Sequence, residues 1–380
     1  MRDYIKHILL LLAIVFNASS LWAQDARISH PFLWSSYYNP AYYGSEGVFK
    51  FDFGAQTTYT FKYSTFVDCH LSTEIGLNAG NVLWGFGLKG SNEYQGSGLL
   101  NISKLAPAVS VGFRIGDEYK VNTHLRIGIE MDVNSAHINK DRMVFADQLD
   151  PFYGKTSQYS AELDYLNYST VWALDLGVGF FGQTAIPANK YRMPVIINYG
   201  FSAFNILGEN KKSFYTNGNA INTPNLYNRR FCAQLEYAHP YVSSRNWNMY
   251  FKGYAIYEYQ AEMHDIQFGF VYNLSRFMAG VGLKIEKYVP VRTVSDVLLH
   301  FVYTQPLNPT LIMRFAYSAE IPTTQEPLRH TSIHSLSLHL VWNYTEGSAV
   351  PSKYRCPKHV NPTDVAWYEK NNTFPTKSRK

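Results

Sequence analysis

Hydrophobic and polar residues alternate one by one along much of this chain. The clearest run covers residues 125–134, where five apolar residues interleave with five small or polar ones: Leu125, Ile127, Ile129, Met131 and Val133 against Arg126, Gly128, Glu130, Asp132 and Asn134. Successive side chains of a β-strand point to opposite faces, so a strand places all the apolar groups on one side. In a helix, Arg126, Glu130 and Asp132 would interrupt the apolar face. The run therefore predicts a strand.

The same alternation returns at intervals throughout the chain. Clear runs lie at residues 49–56, 109–115, 174–180, 231–237, 247–255, 266–272, 277–285, 297–303, 311–317 and 334–342, and weaker ones lie at 65–71, 82–88 and 195–204. Together with 125–134 they predict about fourteen strands, and a single-chain bacterial barrel is expected to have an even number. Most runs are a little shorter than the roughly 9–11 residues that cross a bilayer at a tilt, so we expect the strands to extend beyond them.

The polar faces decide between a soluble β-protein and a membrane barrel. A soluble β-sandwich or lipocalin-like barrel would carry many Lys and Glu on its outward faces, whereas these faces are rich in Gly, Ser, Asn and Tyr. Glycine removes bulk from a wall or lets a strand bend at six such positions: Gly112, Gly128, Gly177, Gly179, Gly280 and Gly282. Charged residues make up 17% of the chain, below the about 25% of ordinary soluble domains, and aromatic residues make up 16%, while mean hydropathy is only −0.21. We therefore predict an all-β transmembrane antiparallel β-barrel of the outer membrane.

The first residues have the features of a secretory signal peptide. Arg2 and Lys6 give a positive start, residues 8–16 form an apolar stretch, and Ala23 can be the small residue before the cleavage site. An uncleaved membrane anchor is the alternative, but the apolar stretch is shorter than the roughly 20 residues that a spanning helix needs. We predict cleavage before Gln24. No later window offers 18 consecutive apolar residues, so no spanning helices are expected.

The predicted organisation has four parts. Residues 1–23 are the signal peptide, 24–47 an N-terminal segment, 48–344 the outer-membrane barrel and 345–380 a polar C-terminal tail that ends in basic residues. The N-terminal segment holds four tyrosines around Asn39-Pro40, a pair that begins a turn or an extended segment. It is either a surface loop or, as we expect, a segment that packs against or inside the barrel.

Two internal stretches break the alternation. Residues 135–154 hold His137 and several carboxylates, but they lack the ligand spacing and central glycine of an EF-hand loop. We therefore expect a loop or a small folded insert there rather than a calcium site. Residues 208–228 are polar and rich in turn-forming residues, which predicts an external loop. The C-terminal tail is predicted to be periplasmic, either ordered by a partner or without one.

No arrangement typical of an enzyme stands out. The chain lacks the nucleophile-elbow, zinc-protease, Walker and dinucleotide-binding motifs, and its three cysteines have no metal-ligand spacing. His334 and His339 are an odd number of residues apart, so they face opposite sides of a strand. A barrel hydrolase is the remaining enzymatic alternative. We predict a protein that is not an enzyme and that uses no cofactor and no metal.

The charged residues suit a lumen wall. The net charge of +5 is spread along the chain with no long basic run, so nucleic acid is not an expected partner, whereas outer-membrane lipid is. The polar faces of the predicted strands carry charges of both signs, which can pair across neighbouring strands. These residues are Arg114, Arg126, Glu130, Asp132 and Asp175.

Several short motifs, taken in order, resemble one family. They are Asn39-Pro40-Ala41-Tyr42-Tyr43-Gly44-Ser45, Phe145-Ala146-Asp147-Gln148-Leu149-Asp150, Arg314-Phe315-Ala316-Tyr317-Ser318, His334-Ser335-Leu336-Ser337-Leu338 and Cys356-Pro357. In these motifs the chain resembles the PorP/SprF family of Bacteroidetes, and the likeness spans nearly the whole mature chain. The sequence departs from the family at Tyr43, where a small residue is more usual, and it continues well past Pro357, where members often stop soon after.

The resemblance implies an outer-membrane barrel accessory to type IX secretion and gliding, which helps deliver or hold secreted adhesins at the surface. It implies type IX secretion components, and secreted adhesins or other cargo, as partners. The family-like residues are Asn39, Pro40, Ala41, Tyr42 and Gly44. Periodicity gives the barrel only, and it leaves a passive channel for small solutes as the alternative function.

Overall fold

A computed structural model gives the fold of most of the predicted barrel and of a segment before it. The structure describes residues 28–45, 49–60, 64–79, 82–95, 100–116, 122–140, 143–150, 152, 154–157, 160, 169–186, 195–207, 228–244, 247–261, 263–274, 276–288, 292–307, 311–323 and 330–342. The predicted signal peptide and C-terminal tail lie outside the described residues, as does most of the predicted loop at 208–228. Among the described residues, no helix is long and apolar enough to cross a membrane.

The described part of the chain is almost entirely strand. The strands are β1 (Phe49–Thr60), β2 (Ser64–Ala79), β3 (Val82–Gln95), β4 (Leu100–Gly116), β5 (Asn122–Ile138), β6 (Leu149–Asp150), β7 (Gly154–Lys155), β8 (Thr170–Ile186), β9 (Val195–Phe204), β10 (Arg230–Ser244), β11 (Trp247–Gln260), β12 (Met263–Leu274), β13 (Phe277–Tyr288), β14 (Arg292–Pro306), β15 (Leu311–Pro322) and β16 (His330–Trp342). One short helix, α1 (Ser35–Tyr38), and 3-10 turns at Pro40–Tyr42 and Ala146–Gln148 complete the described elements.

Fourteen of these strands, β1–β5 and β8–β16, form a closed antiparallel barrel. Each pairs with the strands beside it in sequence, and β1 pairs with β16 from Phe49 opposite Trp342 to Thr60 opposite His330. The predicted fold class and strand number are confirmed. The strands are 10–17 residues long, longer than the alternating runs, because they continue past the apolar stretches.

The two faces of the barrel are arranged as the alternation predicts for a membrane protein. On β5, Ile127 and Ile129 point outward with 59% and 55% of their surface exposed, whereas Arg126 and Glu130 point into the lumen with 2% and 1%. The same division holds around the ring, with large apolar side chains exposed outside and charged ones buried inside. A soluble β-protein has the opposite arrangement. The protein is therefore an outer-membrane barrel, with lipid against its apolar exterior.

The connections identify the two rims of the barrel. β1 begins and β16 ends at the same rim, where Phe49 lies opposite Trp342. The two longest gaps between barrel strands, residues 139–169 and 205–229, lie at the other rim. Outer-membrane barrels have short periplasmic turns and longer extracellular loops. The rim at the start of β1 therefore faces the periplasm.

The stretch at residues 135–154 differs in part from the expectation. Its first residues do not break the alternation, because β5 continues to Ile138 and His137 reaches Thr170 of β8 with a 2.9 Å hydrogen bond. The rest forms a small insert, in which a 3-10 turn leads into the two-stranded sheet of β6 and β7. The Asp147 carboxylate accepts a hydrogen bond from Ser160 at 2.8 Å. Within the described residues, no group of three or more His, Cys, Asp or Glu is placed to hold a metal ion.

A charge on the lipid face is expected to destabilise the barrel. Ile129 lies near the middle of β5 on the outward face, so Ile129→Arg should lower the free energy of unfolding by about 2–4 kcal/mol in lipid vesicles. Urea titration of folded protein in vesicles measures this change. Ile129→Leu is the control and should be close to neutral. Equal stabilities for Ile129→Arg and the wild type would contradict an outward, lipid-facing position.

Candidate functional site

Residues 28–45, hereafter the plug, lie inside the lumen. Their side chains are almost completely buried, and Tyr38, Asn39 and Tyr43 have no exposed surface. The plug contacts strands around the ring, from β1 and β2 through β8 and β9 to β15. We considered a surface loop and a segment that packs against or inside the barrel, and the structure shows residues 28–45 packed inside it.

Local sequence chemistry shapes the plug. Asn39 follows the short helix α1, and its side-chain oxygen accepts a 2.9 Å hydrogen bond from the Ala41 N–H, which caps the following 3-10 turn. Pro40 fits the first position of that turn because it has no N–H to satisfy there. Gly44 has a φ of +66°, a conformation that side chains disfavour. The family-like residues Asn39, Pro40, Ala41, Tyr42 and Gly44 therefore form one compact turn.

Five glycines of the wall leave room for this turn, and we call them the glycine seat: Gly85, Gly87, Gly128, Gly179 and Gly200. A Cβ on Gly128 would overlap the backbone of Pro40 and Ala41, and one on Gly179 would overlap the side chain of Asn39. The sequence predicted that inward glycines remove bulk from the lumen wall. Of the six glycines named from the sequence, Gly128 and Gly179 make room for the plug, whereas the other four lie against atoms of the wall.

Arg126 of β5 binds the main chain of the plug. Its Nε donates to the Ala41 carbonyl at 3.2 Å, and its Nη2 donates to the Tyr43 carbonyl at 2.8 Å and to Ser110 Oγ at 2.7 Å. Ser110 Oγ in turn donates to the Tyr43 carbonyl at 2.6 Å. A planar guanidinium can serve several acceptors in one plane, so Arg126 fixes both carbonyls at once.

Other wall residues hold the rest of the plug backbone. Ser202 Oγ donates to the Tyr38 carbonyl at 2.5 Å, and Lys50 Nζ donates to the Leu33 carbonyl at 3.3 Å. At the periplasmic end, the Gly44 N–H donates to Glu74 Oε2 at 3.0 Å. These bonds satisfy buried main-chain groups that would otherwise be costly to remove from water.

The aromatic side chains of the plug pack against rings and cations of the wall. The Tyr42 ring lies 4.0 Å from that of Phe181, measured between centroids, and the Trp34 ring lies 5.4 Å from that of His339. The Arg230 guanidinium lies over the Tyr37 ring at 5.0 Å. Aromatic packing and cation–π contacts of this kind add to the burial of apolar surface.

Hydrogen bonds also hold the N-terminal end of the plug. Ser29 Oγ donates to Glu320 Oε1 at 2.5 Å, and the Ser29 N–H donates to Gln56 Oε1 at 3.2 Å. His30 Nδ1 lies 3.3 Å from Ser318 Oγ. Burial and the neighbouring His300 hold the pKa of the His30 imidazole well below its usual range, so the ring is neutral at pH 7.

The wall carries its own ion pairs. Some join neighbouring strands as expected, such as Lys252 of β11 and Glu236 of β10 at 2.9 Å. Others cross over an intervening strand, such as Lys89 of β3 and Glu130 of β5 at 2.9 Å. The long side chain of Lys89 reaches across the inward face of β4 to make this pair.

The five charged residues assigned to the wall from sequence have different outcomes. Arg126, Glu130, Asp132 and Asp175 are buried in the lumen as predicted, and the side chain of Arg114 lies outside the described residues. Arg126 also donates hydrogen bonds to the plug and to Ser110 of the wall. The prediction that His334 and His339 face opposite sides is confirmed, since His339 is buried against Asp52 while His334 bonds Tyr317 on the outward face.

Sequence reasoning found the family-like turn but missed most of its partners. It did not single out Ser29, His30 or Trp34 within the same segment, nor Ser110 and Ser202 of the wall. The two serines lie on inward positions of β4 and β9, and the alternation of the sequence indicates these inward positions. Nothing local distinguishes them from other inward serines.

The fold and the filled lumen define the class of protein: an outer-membrane β-barrel plugged by residues 28–45 of its own chain. No protein-family model matches the chain, and no curated protein matches it.

Several solved structures are similar to the chain. It is 8% identical to CdiB from Acinetobacter baumannii at a TM-score of 0.42, over 77% of this chain and 60% of CdiB, so it spans less than two thirds of that protein. It is 9% identical to a FadL homologue from Pseudomonas aeruginosa at a TM-score of 0.43, over 82% and 94% of the two chains. It is 10% identical to the toluene transporter TbuX of Ralstonia pickettii at 0.43, over 81% and 93%. This likeness assigns neither a family nor a substrate.

Asn39 is expected to hold the plug through both its side-chain nitrogen and its side-chain oxygen. Its Nδ2 donates to the Phe180 carbonyl at 2.8 Å while its Oδ1 accepts from Ala41. Asn39→Asp keeps the cap but turns a carboxylate towards a carbonyl oxygen, which should destabilise the seated plug by about 2 kcal/mol. Hydrogen exchange of residues 28–45 should then be about tenfold faster or more. Asn139→Asp is the control in the loop after β5, and equal exchange in both variants would contradict the role given to Asn39.

Proposed function

We propose that this protein is an accessory barrel of type IX secretion that acts by holding partners at the outer membrane. The observation that carries the proposal is that the family-like residues Asn39 to Gly44 form the C-terminal part of the plug inside the lumen. They are the residues that the wall recognises most closely, through Arg126 and the glycine seat. A barrel filled in this way suits a role in docking better than one in solute flow.

The proposed partners are secretion components and secreted adhesins or other cargo. We further propose that the protein is not an enzyme. Several buried charged side chains of the wall pair with one another, such as Lys50 with Glu74 and Lys284 with Glu320. Such pairs suit a structural wall.

Deletion of the gene tests the proposal. We expect specific surface adhesins to be lost from intact cells and to accumulate in the periplasm or medium, as measured by proteomics of each fraction. Complementation with the wild-type gene should restore them, whereas a variant that assembles in the membrane without a seated plug should not. An unchanged set of surface and secreted proteins would contradict the proposal.

A passive channel for small solutes is the second candidate. The polar, glycine-lined wall favours it, but the plug has to leave the lumen before solutes can pass. Conductance of the purified protein in planar bilayers separates the two functions. A stable open pore of the wild type would support the channel, and a closed barrel would support the accessory role.

A further inference from the structure

We infer that the lumen wall is a peptide-binding site, that the plug is its tethered ligand, and that the wall binds a peptide of the same chemistry supplied as a separate molecule. The ligand class is an uncharged, aromatic-rich peptide with an Asn-Pro-Ala turn followed by two tyrosines and a glycine. This inference goes beyond the proposed function and holds whether or not the protein serves secretion.

The barrel wall is complete without the plug. Its fourteen strands close on one another, and the closing pair of β1 and β16 is hydrogen-bonded along its length. The plug contributes side-chain and capping contacts but no strand to this ring. Its departure therefore removes no backbone pairing from the barrel.

The ion pairs of the wall do not involve the plug. Residues 28–45 contain no Asp, Glu, Lys or Arg, and their one histidine is neutral. Wall charges pair with other wall charges, as in Lys252 with Glu236 and Lys284 with Glu320, both at 2.9 Å. Leaving one member of a buried ion pair alone is costly, and release of the plug does not require it. Water can take the place of a neutral ligand.

The wall nevertheless recognises the plug closely. Arg126, Ser110 and Ser202 donate to main-chain carbonyls, which any peptide in this path presents. The shape of the wall then determines which side chains the bound peptide can carry. A Cβ on Gly44 would stand 2.5 Å from the Gly85 Cα and 2.9 Å from the Gly76 Cα, so backbone atoms exclude any side chain at this position.

The plug also has internal bonds that favour its bound shape. The Tyr38 hydroxyl donates to the Ile28 carbonyl at 2.7 Å, and Asn39 caps the turn at Ala41. Internal bonds of this kind lower the cost of ordering a free peptide on binding. A separate peptide of residues 28–45 is therefore a realistic ligand.

The experiment uses the full chain with a protease site inserted within residues 46–48. The protein is folded in detergent and cut, and mass spectrometry verifies the cleavage. We expect the cut fragment to remain with the barrel in size-exclusion chromatography. An excess of labelled synthetic peptide 28–45 should then replace it. The matched control peptide carries Gly44→Ala, and a second control has the same residues in scrambled order.

The wild-type peptide should bind at least about tenfold more tightly than the Gly44→Ala peptide, because the added methyl group meets backbone. Loss of the fragment on cutting, with no binding of the synthetic peptide, would overturn the inference. Retention of the fragment without exchange would overturn it as well, since the plug would then be part of the permanent core. Equal binding of either control peptide would show non-specific adsorption and would also overturn it. No secretion component is present in this assay, so its result is independent of the proposed function.

Discussion

Replacement of Gly85 by alanine is expected to expel the plug and to open the barrel to ions. A Cβ at this position would overlap the Tyr43 carbonyl and stand 2.5 Å from Ser110 Oγ. The obstacle is backbone held by Arg126, so the plug rather than a flexible side chain has to give way. Overpacking of this kind costs about 1–3 kcal/mol, and we expect the upper end of that range. Single-channel recording in planar bilayers should show open events at least about tenfold more often than in the wild type.

A second glycine of the same strand provides the control. A Cβ on Gly90 would meet its nearest neighbour, the Lys104 carbonyl, at 3.9 Å, which is ordinary contact. Gly90→Ala should therefore leave conductance unchanged. Both variants should migrate as folded barrels in unheated gels, which separates opening from misfolding. A folded Gly85→Ala barrel that conducts no ions would contradict this prediction, because the lumen would then stay closed despite the clash.

Replacement of Arg126 by alanine is expected to release the plug to proteolysis. The variant loses the bonds of the guanidinium to the Ala41 and Tyr43 carbonyls and to Ser110. Hydrogen bonds from a charged group contribute about 1.5–3 kcal/mol each, and one carbonyl keeps its bond from Ser110. Chymotrypsin, which cuts after aromatic residues, should cleave within residues 28–45 of the variant at least about tenfold faster than in the wild type.

Two further variants test whether faster proteolysis of the plug is due to loss of the Arg126 guanidinium. Arg126→Lys keeps the charge but cannot reach several acceptors in one plane, so it should be intermediate. Arg276→Ala removes an exposed arginine beside the turn between β12 and β13 and should behave as the wild type. Equal cleavage of the plug in Arg126→Ala and Arg276→Ala would mean that Arg126 does not hold it. Mass spectrometry of the released peptides identifies the cut sites.

The family-like turn was predictable, but its environment was not. The Asn39-Pro40 pair predicted a turn or an extended segment, and the structure has a turn there. That Gly128 and Gly179 leave space for this turn depends on which strands face it across the lumen. Likewise, the alternation gave Arg126 an inward position, but it could not reveal that the side chain reaches the carbonyl of Ala41, 85 residues earlier.

The sequence by itself determined the barrel, its approximate strand number and the face that meets lipid. These properties follow from a repeat of two residues, which is local and survives in any arrangement of the strands. The tertiary structure decided how the lumen is filled and which charges meet, such as Lys89 with Glu130 across an intervening strand. Such contacts join residues far apart in sequence, and they form only when the strands pair in one register and the ring closes around the plug.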